Sequence, residues 1–512
     1  MRRLRSIGGA VASRGLRSTA AATAGGPCPR GPPRMTAPPS SPAGLRQNAL
    51  GLWTIVFFVI ATNGPLTALV GVVSTAILLG NGIGVPAAFL IAGVIYLVFS
   101  VGFVAMGRYI RNAGAFYAYV ANGLGRPLGT AAAFLAIVAY AGLQFACYGL
   151  IGFFGANALA GWGLALPWWV VGLAVAALVQ LCSIRNVVFN GRFLGLLMLA
   201  ELAVVVVFDV AVLAHGGPEG FSLASFQPEH VLVPGLGATF VFVAGSFMGF
   251  ETTAIYAEEA REPERTVPAA TYIAVVLIAV TLTLSSWLLI VSFGPSQVLA
   301  AAAKDPGGLW FDRAGLLVGP LLGDAINVLL ITSLFAVILS FQNTLSRYLF
   351  ALAREGLMPV AFARTHARHR TPYLAGYALT ALVVALLLLC GLAGADPMTL
   401  VLPLGSAPAA LGILAVQALT SLAVIGFFRR QPRHTNLWQR LIAPALSGAA
   451  MLVGVALIVR NMHLLTGGES AFNTLIPLGM LGVGLAGLGL ALWLRSHRPE
   501  RYARLARLLE EV

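Results

Sequence analysis

The chain has 512 residues, of which 58% are hydrophobic and only 10% charged, and its formal net charge is +14. A water-soluble protein of this length needs a far more polar exterior, so the composition excludes a soluble enzyme and points to apolar helices of about 20 residues crossing a hydrocarbon core about 30 Å thick. Cys28, Cys147, Cys182 and Cys390 stand singly, which suggests neither a disulfide framework nor a metal site.

Residues 1–47 carry eight arginines and no acidic residue, and turn rich in Pro, Ser and Gly towards Ala43. They lack the apolar centre of a secretory signal, and the composition is similar to that of an organelle transit peptide. The expectation is a disordered basic cytoplasmic tail, with Met35 as an alternative first residue to Met1. Beyond it, twelve spans are expected, at 50–78, 86–107, 127–155, 167–184, 189–214, 235–257, 269–292, 324–350, 374–393, 399–427, 441–460 and 473–495. The first, third and tenth are too long for a straight crossing and must tilt, break or extend past the bilayer. With the amino terminus cytoplasmic, this count puts all but three of the 32 Lys and Arg residues on the cytoplasmic side, the exceptions being Lys304, Arg313 and Arg460. That bias fits twelve spans with both termini cytoplasmic. The net charge follows from the same sorting and does not imply nucleic acid binding.

In the first span, Ala61-Thr62-Asn63-Gly64-Pro65-Leu66-Thr67 interrupts the apolar run. Thr62 or Asn63 can cap, and Pro65 suits the first turn of a new helix. The exposed amides of that helix offer a partly positive end to a carboxylate. In the third span Tyr140, Gln144 and Tyr148 recur every four residues, so they share a face, lining either a cavity or an interhelical contact. Glu201 lies mid-span in the fifth, where holding a charge is costly; it reads as a proton-responsive coupling residue or as a carboxyl that fixes packing.

The sixth span breaks at Gly249-Phe250-Glu251-Thr252, where freed carbonyls and Glu251 can receive an ammonium group. Phe247 and Phe250 flank the break and either close over a ligand or pack. The polar string Glu258 to Arg265 reads as a solvated loop, or as an inner gate in which Glu258 and Glu259 pair with Arg347 or Arg354 of the eighth span. Ser340 and Asn343 are candidates for the cytoplasmic half of the path, and Asp209 for a vestibule or structural role. A lone break can be a kink or a paired carboxylate, but if spans 1–5 and 6–10 are two halves of an inverted repeat, interruptions in spans one and six fall at corresponding positions, which points to a midplane transport site.

Enzyme and nucleotide motifs fail. Gly482-Val483-Gly484-Leu485-Ala486-Gly487 matches a dinucleotide fingerprint but sits in an apolar span with no preceding strand. The single lysine, Lys304, forms no phosphate loop, and His366 and His369 share a basic loop better read as a solvated face than as a metal site. No cofactor is expected.

Three separated blocks carry a resemblance. They are Asn112 to Tyr119 with Gly123 and Gly125; Gly249-Phe250-Glu251 with Glu258-Glu259 and Pro263 to Pro268; and Asn343 to Tyr348 with Ala353-Arg354-Glu355-Gly356 and Pro359. From about Trp53 to Arg429 the chain resembles the amino acid-polyamine-organocation permeases. The resemblance implies an all-α membrane fold: a LeuT-like ten-helix core over 48–428, peripheral helices over 429–495 and a cytoplasmic tail over 496–512. It also implies a substrate carboxylate at the backbone of Gly64 to Thr67, an amine at the end of the sixth helix around Gly249, and a fifth-helix position at Glu201 where some relatives carry a lysine in place of a sodium ion. Many members have a G-x-G break in helix one; this chain reads Asn63-Gly64-Pro65-Leu66.

The resulting expectation is a secondary active transporter of the cell membrane, moving an amino acid or small amine by alternating access with a proton as coupling ion. Exchange of amines, a non-transporting nutrient sensor and a channel are the alternatives. No acidic cluster beyond Glu251 and Glu201 marks a polyamine site, and a neutral or aromatic amino acid fits the Phe-rich surroundings.

Overall fold

The computed structural model describes residues 50–110, 116–185, 187–305, 307–431, 435–465 and 468–505; the tail expected over 1–47 lies outside them. In lipid a chain can satisfy its backbone N–H and C=O groups within one segment only as a helix, and each expected span is one. The spans are α1 Leu52–Leu79, α2 Gly82–Gly107, α3 Arg126–Gly161, α6 Leu236–Ile255, α7 Pro263–Phe293, α8 Pro320–Arg354, α9 Tyr373–Leu392, α11 Trp438–Arg460 and α12 Phe472–His497, with α4 Trp168–Ile184, α5 Val187–His215 and α10 Leu402–Arg430. Eleven are long and apolar enough to cross a membrane, and α4, at 17 residues, falls short of that length. Its rise of about 25 Å is close to the hydrocarbon thickness. Among the described residues the one β-type pairing is an isolated parallel bridge between Leu50 and Ala260.

Burial ranks the helices. In α1 and α6, 83% of the most apolar window is buried, against 17% in α12, so the two interrupted helices lie at the centre and α12 at the rim. The outward faces carry Leu196, Leu199, Val206, Val210 and Leu213 on α5 and Leu475, Leu478, Leu481 and Leu485 on α12, all exposed. Such continuous apolar surface marks contact with lipid. Helix α3 packs on α10, α12 and α8; α1 packs on α5, α7 and α8.

Two expectations need correction. The string read as a loop through Arg265 already belongs to α7, which starts at Pro263 with Glu264 in its first turn; proline needs no N–H partner there and the carboxylate suits the helix dipole. Short helices at Phe116–Leu124, Val298–Lys304 and Leu309–Leu317 were not expected, because each is too short to span. Of the block Asn112 to Tyr119, residues 112–115 lie outside the described residues.

Candidate functional site

The first half of α1 ends at Asn63, where Gly64 takes a left-handed conformation with φ 56° and ψ 77°. Glycine is required twice over: L-residues rarely hold this φ, and a Cβ here would collide with Val337. The break is one residue long, since Gly64 N–H donates to Ile60 O (3.0 Å) and Ala68 N–H to Gly64 O (2.8 Å). Pro65 restarts the helix, and Ala68–Val73 winds as a wider π-turn. The freed amides are engaged: Leu66 N–H donates to Glu201 Oε2 at 3.4 Å and Thr67 N–H to Ser333 Oγ at 3.3 Å.

Helix α6 runs regularly to Phe247. Met248 is then extended, Gly249 has φ 119°, and helix resumes at Thr252–Ile255. Glu251 closes this break from within. Its Oε2 accepts Gly249 N–H at 3.1 Å and its Oε1 accepts the Tyr140 hydroxyl at 2.6 Å, while the Thr252 hydroxyl donates to Gly249 O at 2.6 Å. The two breaks touch: Asn63 Nδ2 donates to Met248 O at 3.4 Å, and a Cβ on Gly249 would lie 2.7 Å from Thr62 Cγ2. The Thr62 hydroxyl in turn hydrogen-bonds Ser340 of α8.

On the side of the breaks towards Thr75, residues of α1, α3, α6, α8 and α10 enclose a cleft of about 820 Å³, counted with its open mouth. Of the residues expected to bind substrate, Asn63 and Thr67 line it. Gly64 and Leu66 form the break itself, and Pro65 faces a separate small void against α5 and α7. Tyr140 and Gln144 do not reach the cleft: the first holds Glu251, the second donates to Gln342 Oε1 at 2.8 Å. Phe247 stacks on Tyr96 at 4.6 Å, and Phe250 meets Tyr96 and Phe99 edge-on, so both pack towards α2 instead of closing over the cleft. Glu251 and Thr252 are fully buried. Each Glu251 oxygen already accepts one of the bonds above and the residue does not line the cleft, so the ammonium acceptor expected there is not presented to it in this conformation.

Glu201, 1% exposed, joins three helices, since its Oε2 also accepts the Ser333 hydroxyl at 2.7 Å. Asp209 accepts Ser285 Oγ at 2.7 Å. At the other end of α6, Arg347 Nε donates to Glu259 Oε1 at 2.6 Å with both side chains buried. The guanidinium also reaches Asn343 O at 3.2 Å and lies over the Tyr256 ring at 5.1 Å. Arg354 lies over Phe350 at 5.5 Å, and the Glu258 side chain is outside the described residues. Leu50 N–H donates to Glu259 O (3.0 Å) and Arg261 N–H to Leu50 O (2.8 Å), which pins the start of α1 beneath α6. Tyr117 hydrogen-bonds Glu355 on the same side.

Sequence reasoning passed over Ser333, seven residues before Ser340 and so on the same face of α8; serine is too common in membrane helices for that spacing to stand out. It also passed over Cys147, Ser246 and Ser406, which line the cleft and carry no local signal.

A family model described as amino acid permease matches residues 52–475. The methylthioribose transporter of Bacillus subtilis (strain 168) is 27% identical over 283 residues, covering 54% of this chain and 55% of that protein. A branched-chain amino acid permease, BcaP, of Lactococcus lactis subsp. cremoris (strain MG1363) is 26% identical over 208 residues, 39% of this chain and 43% of that one. The human cationic amino acid transporter 4 is 32% identical over 152 residues, 29% of this chain and 22% of that one. The matched stretch thus spans about half the length, or less, of these relatives.

Proposed function

Because this chain belongs to the amino acid permease family, a family of multi-pass membrane proteins, we propose that it carries an amino acid across the cell membrane by alternating access, driven by a proton. The observation that supports this reading best is the contact between the α1 and α6 breaks at the floor of the cleft. Helices that lose their regular hydrogen bonding side by side supply backbone donors from one and backbone acceptors from the other, which suits a zwitterion. The substrate carboxylate competes with Glu201 for the amide end at Leu66 and Thr67, and the ammonium group takes carbonyls of the α6 break. Both termini are cytoplasmic in this reading, as the Lys and Arg bias favours.

Glu201 is the proposed coupling residue. As a carboxylate it accepts hydrogen bonds from Leu66 N–H and Ser333; protonation weakens both and frees the α1 amide end. The test is uptake into proteoliposomes across an imposed pH gradient, for the natural chain and for Glu201→Gln. The natural chain accumulates substrate more strongly as the side of entry is acidified, and the variant loses that dependence. A variant with unchanged pH dependence and accumulation removes Glu201 from coupling. Binding without flux in the natural chain replaces the transporter with a sensor.

A further inference from the structure

The cleft has a polar floor and an apolar body. Thr62, Asn63 and Thr67 stand at the breaks, and above them Leu143, Cys147, Leu150, Phe242, Val337 and Leu402 supply the walls. Among the described residues no Asp, Glu, Lys, Arg or His lines it. The buried charges of the surrounding helices are engaged elsewhere: Glu251 with Tyr140 and Gly249, Glu201 with Leu66 and Ser333, and Arg347 with Glu259. A substrate whose side chain ends in an ammonium, guanidinium or carboxylate therefore meets no counter-charge beyond the floor. An unpaired charge in such surroundings is strongly disfavoured, whereas apolar carbons gain by leaving water.

We infer that the side-chain compartment of this cleft accepts uncharged aliphatic or thioether side chains of medium size and rejects basic and acidic ones. The inference rests on reading the cleft as the amino acid site, and it adds the class of side chain. Leu143 and Leu150, seven residues apart and so on one face of α3, line it together with Val241 and Phe242 of α6, apolar surroundings that suit branched or flexible apolar groups.

Cys147 provides a native reporter, since it lines the cleft and, among the described residues, Cys182 and Cys390 do not. The experiment uses the full chain carrying Cys28→Ser, Cys182→Ser and Cys390→Ser in liposomes, and follows modification of Cys147 by methyl methanethiosulfonate. Leucine, isoleucine and methionine are expected to slow the modification by about tenfold or more at saturation, and lysine, arginine and glutamate at the same concentration to leave it within about twofold. Equal protection by lysine or glutamate overturns the side-chain assignment and leaves the amino acid site standing. Protection by no amino acid, in a chain whose Cys147 reacts, overturns the site itself. Should Cys147 be unreactive, thermal unfolding of the unmodified full chain with the same six amino acids decides: stabilisation by the apolar three alone upholds the inference, and stabilisation by the charged three refutes it.

Discussion

Gly249 combines a φ of 119°, a close approach to Thr62, and an N–H held by Glu251. Backbone of this kind persists only where its neighbours determine it from several directions. Gly249→Ala must either return φ to the ordinary region, which withdraws the amide from Glu251, or push Thr62 and with it the α1 break. A loss of about 1–3 kcal/mol is expected, with substrate affinity falling further than thermal stability because both breaks move. Measured side by side, an unfolding midpoint within error of the natural chain and unaltered binding would show the break to be tolerant. Glu251 was legible as an unusual residue because a carboxylate in an apolar run is rare. Its partner, 111 positions away at Tyr140, was not, because nothing local records which hydroxyl a fold brings to it.

At the scale of helices, α8 ties its neighbours through one side chain. Gln342 accepts the Gln144 amide of α3, and its own amide has Gly376 O of α9 at 2.9 Å, Thr380 Oγ1 at 3.1 Å and Gln180 Oε1 of α4 at 3.2 Å within reach. Two hydrogens serve three acceptors, so the amide couples α3, α4, α8 and α9 into one polar-bonded group, with the three glutamines buried and Thr380 half-buried. The breaks of α1 and α6 meet this group at few polar points, among them Thr62–Ser340 and Tyr140–Glu251. A stiff four-helix group against a pair of interrupted helices is an arrangement in which one part can rock on the other. Gln342→Leu leaves the Gln144 amide with only the long bond to Ile338 O at 3.4 Å, whereas Gln180 Oε1 keeps the Thr380 hydroxyl at 2.7 Å, so the cost is about 1–3 kcal/mol for the one amide left short of a partner in an apolar interior. The unfolding midpoint in detergent is expected to fall, and Gln144→Leu added to it to recover part of the loss; strict additivity of the two substitutions would dissolve the proposed coupling.

Across the whole molecule, the cleft lies on one side of the breaks, and in the proposed transport cycle the other side is the sealed one. The seal consists of the Arg347–Glu259 pair, the Tyr117–Glu355 bond and the Leu50 backbone held between Glu259 and Arg261. Of the pairs expected from the sequence, Glu259 and Arg347 are in contact, and Arg354 lies over Phe350. Removing one member of a buried ion pair strands the other charge, so Arg347→Ala is expected to cost about 3–5 kcal/mol. The Arg347→Ala/Glu259→Ala double variant should cost less than the sum of the single ones. In the variants that stay folded, cysteines placed near Ala260 are expected to react faster from the sealed side. Unchanged reactivity in every variant would mean that this pair holds packing alone and not the closed state.

The sequence by itself determined the membrane class, the long helices and their order, and both interruptions, because helix formation in lipid, glycine's conformational freedom and the cost of an intramembrane carboxylate are local properties written into short stretches. It could not decide which way Tyr140, Gln144, Phe247 and Phe250 face. It also could not show that Glu201 meets the α1 amide end, or that Ser333 and Cys147 stand at the break and the cleft. Those outcomes depend on the rotation and close approach of helices far apart in the chain, and only their mutual packing sets them.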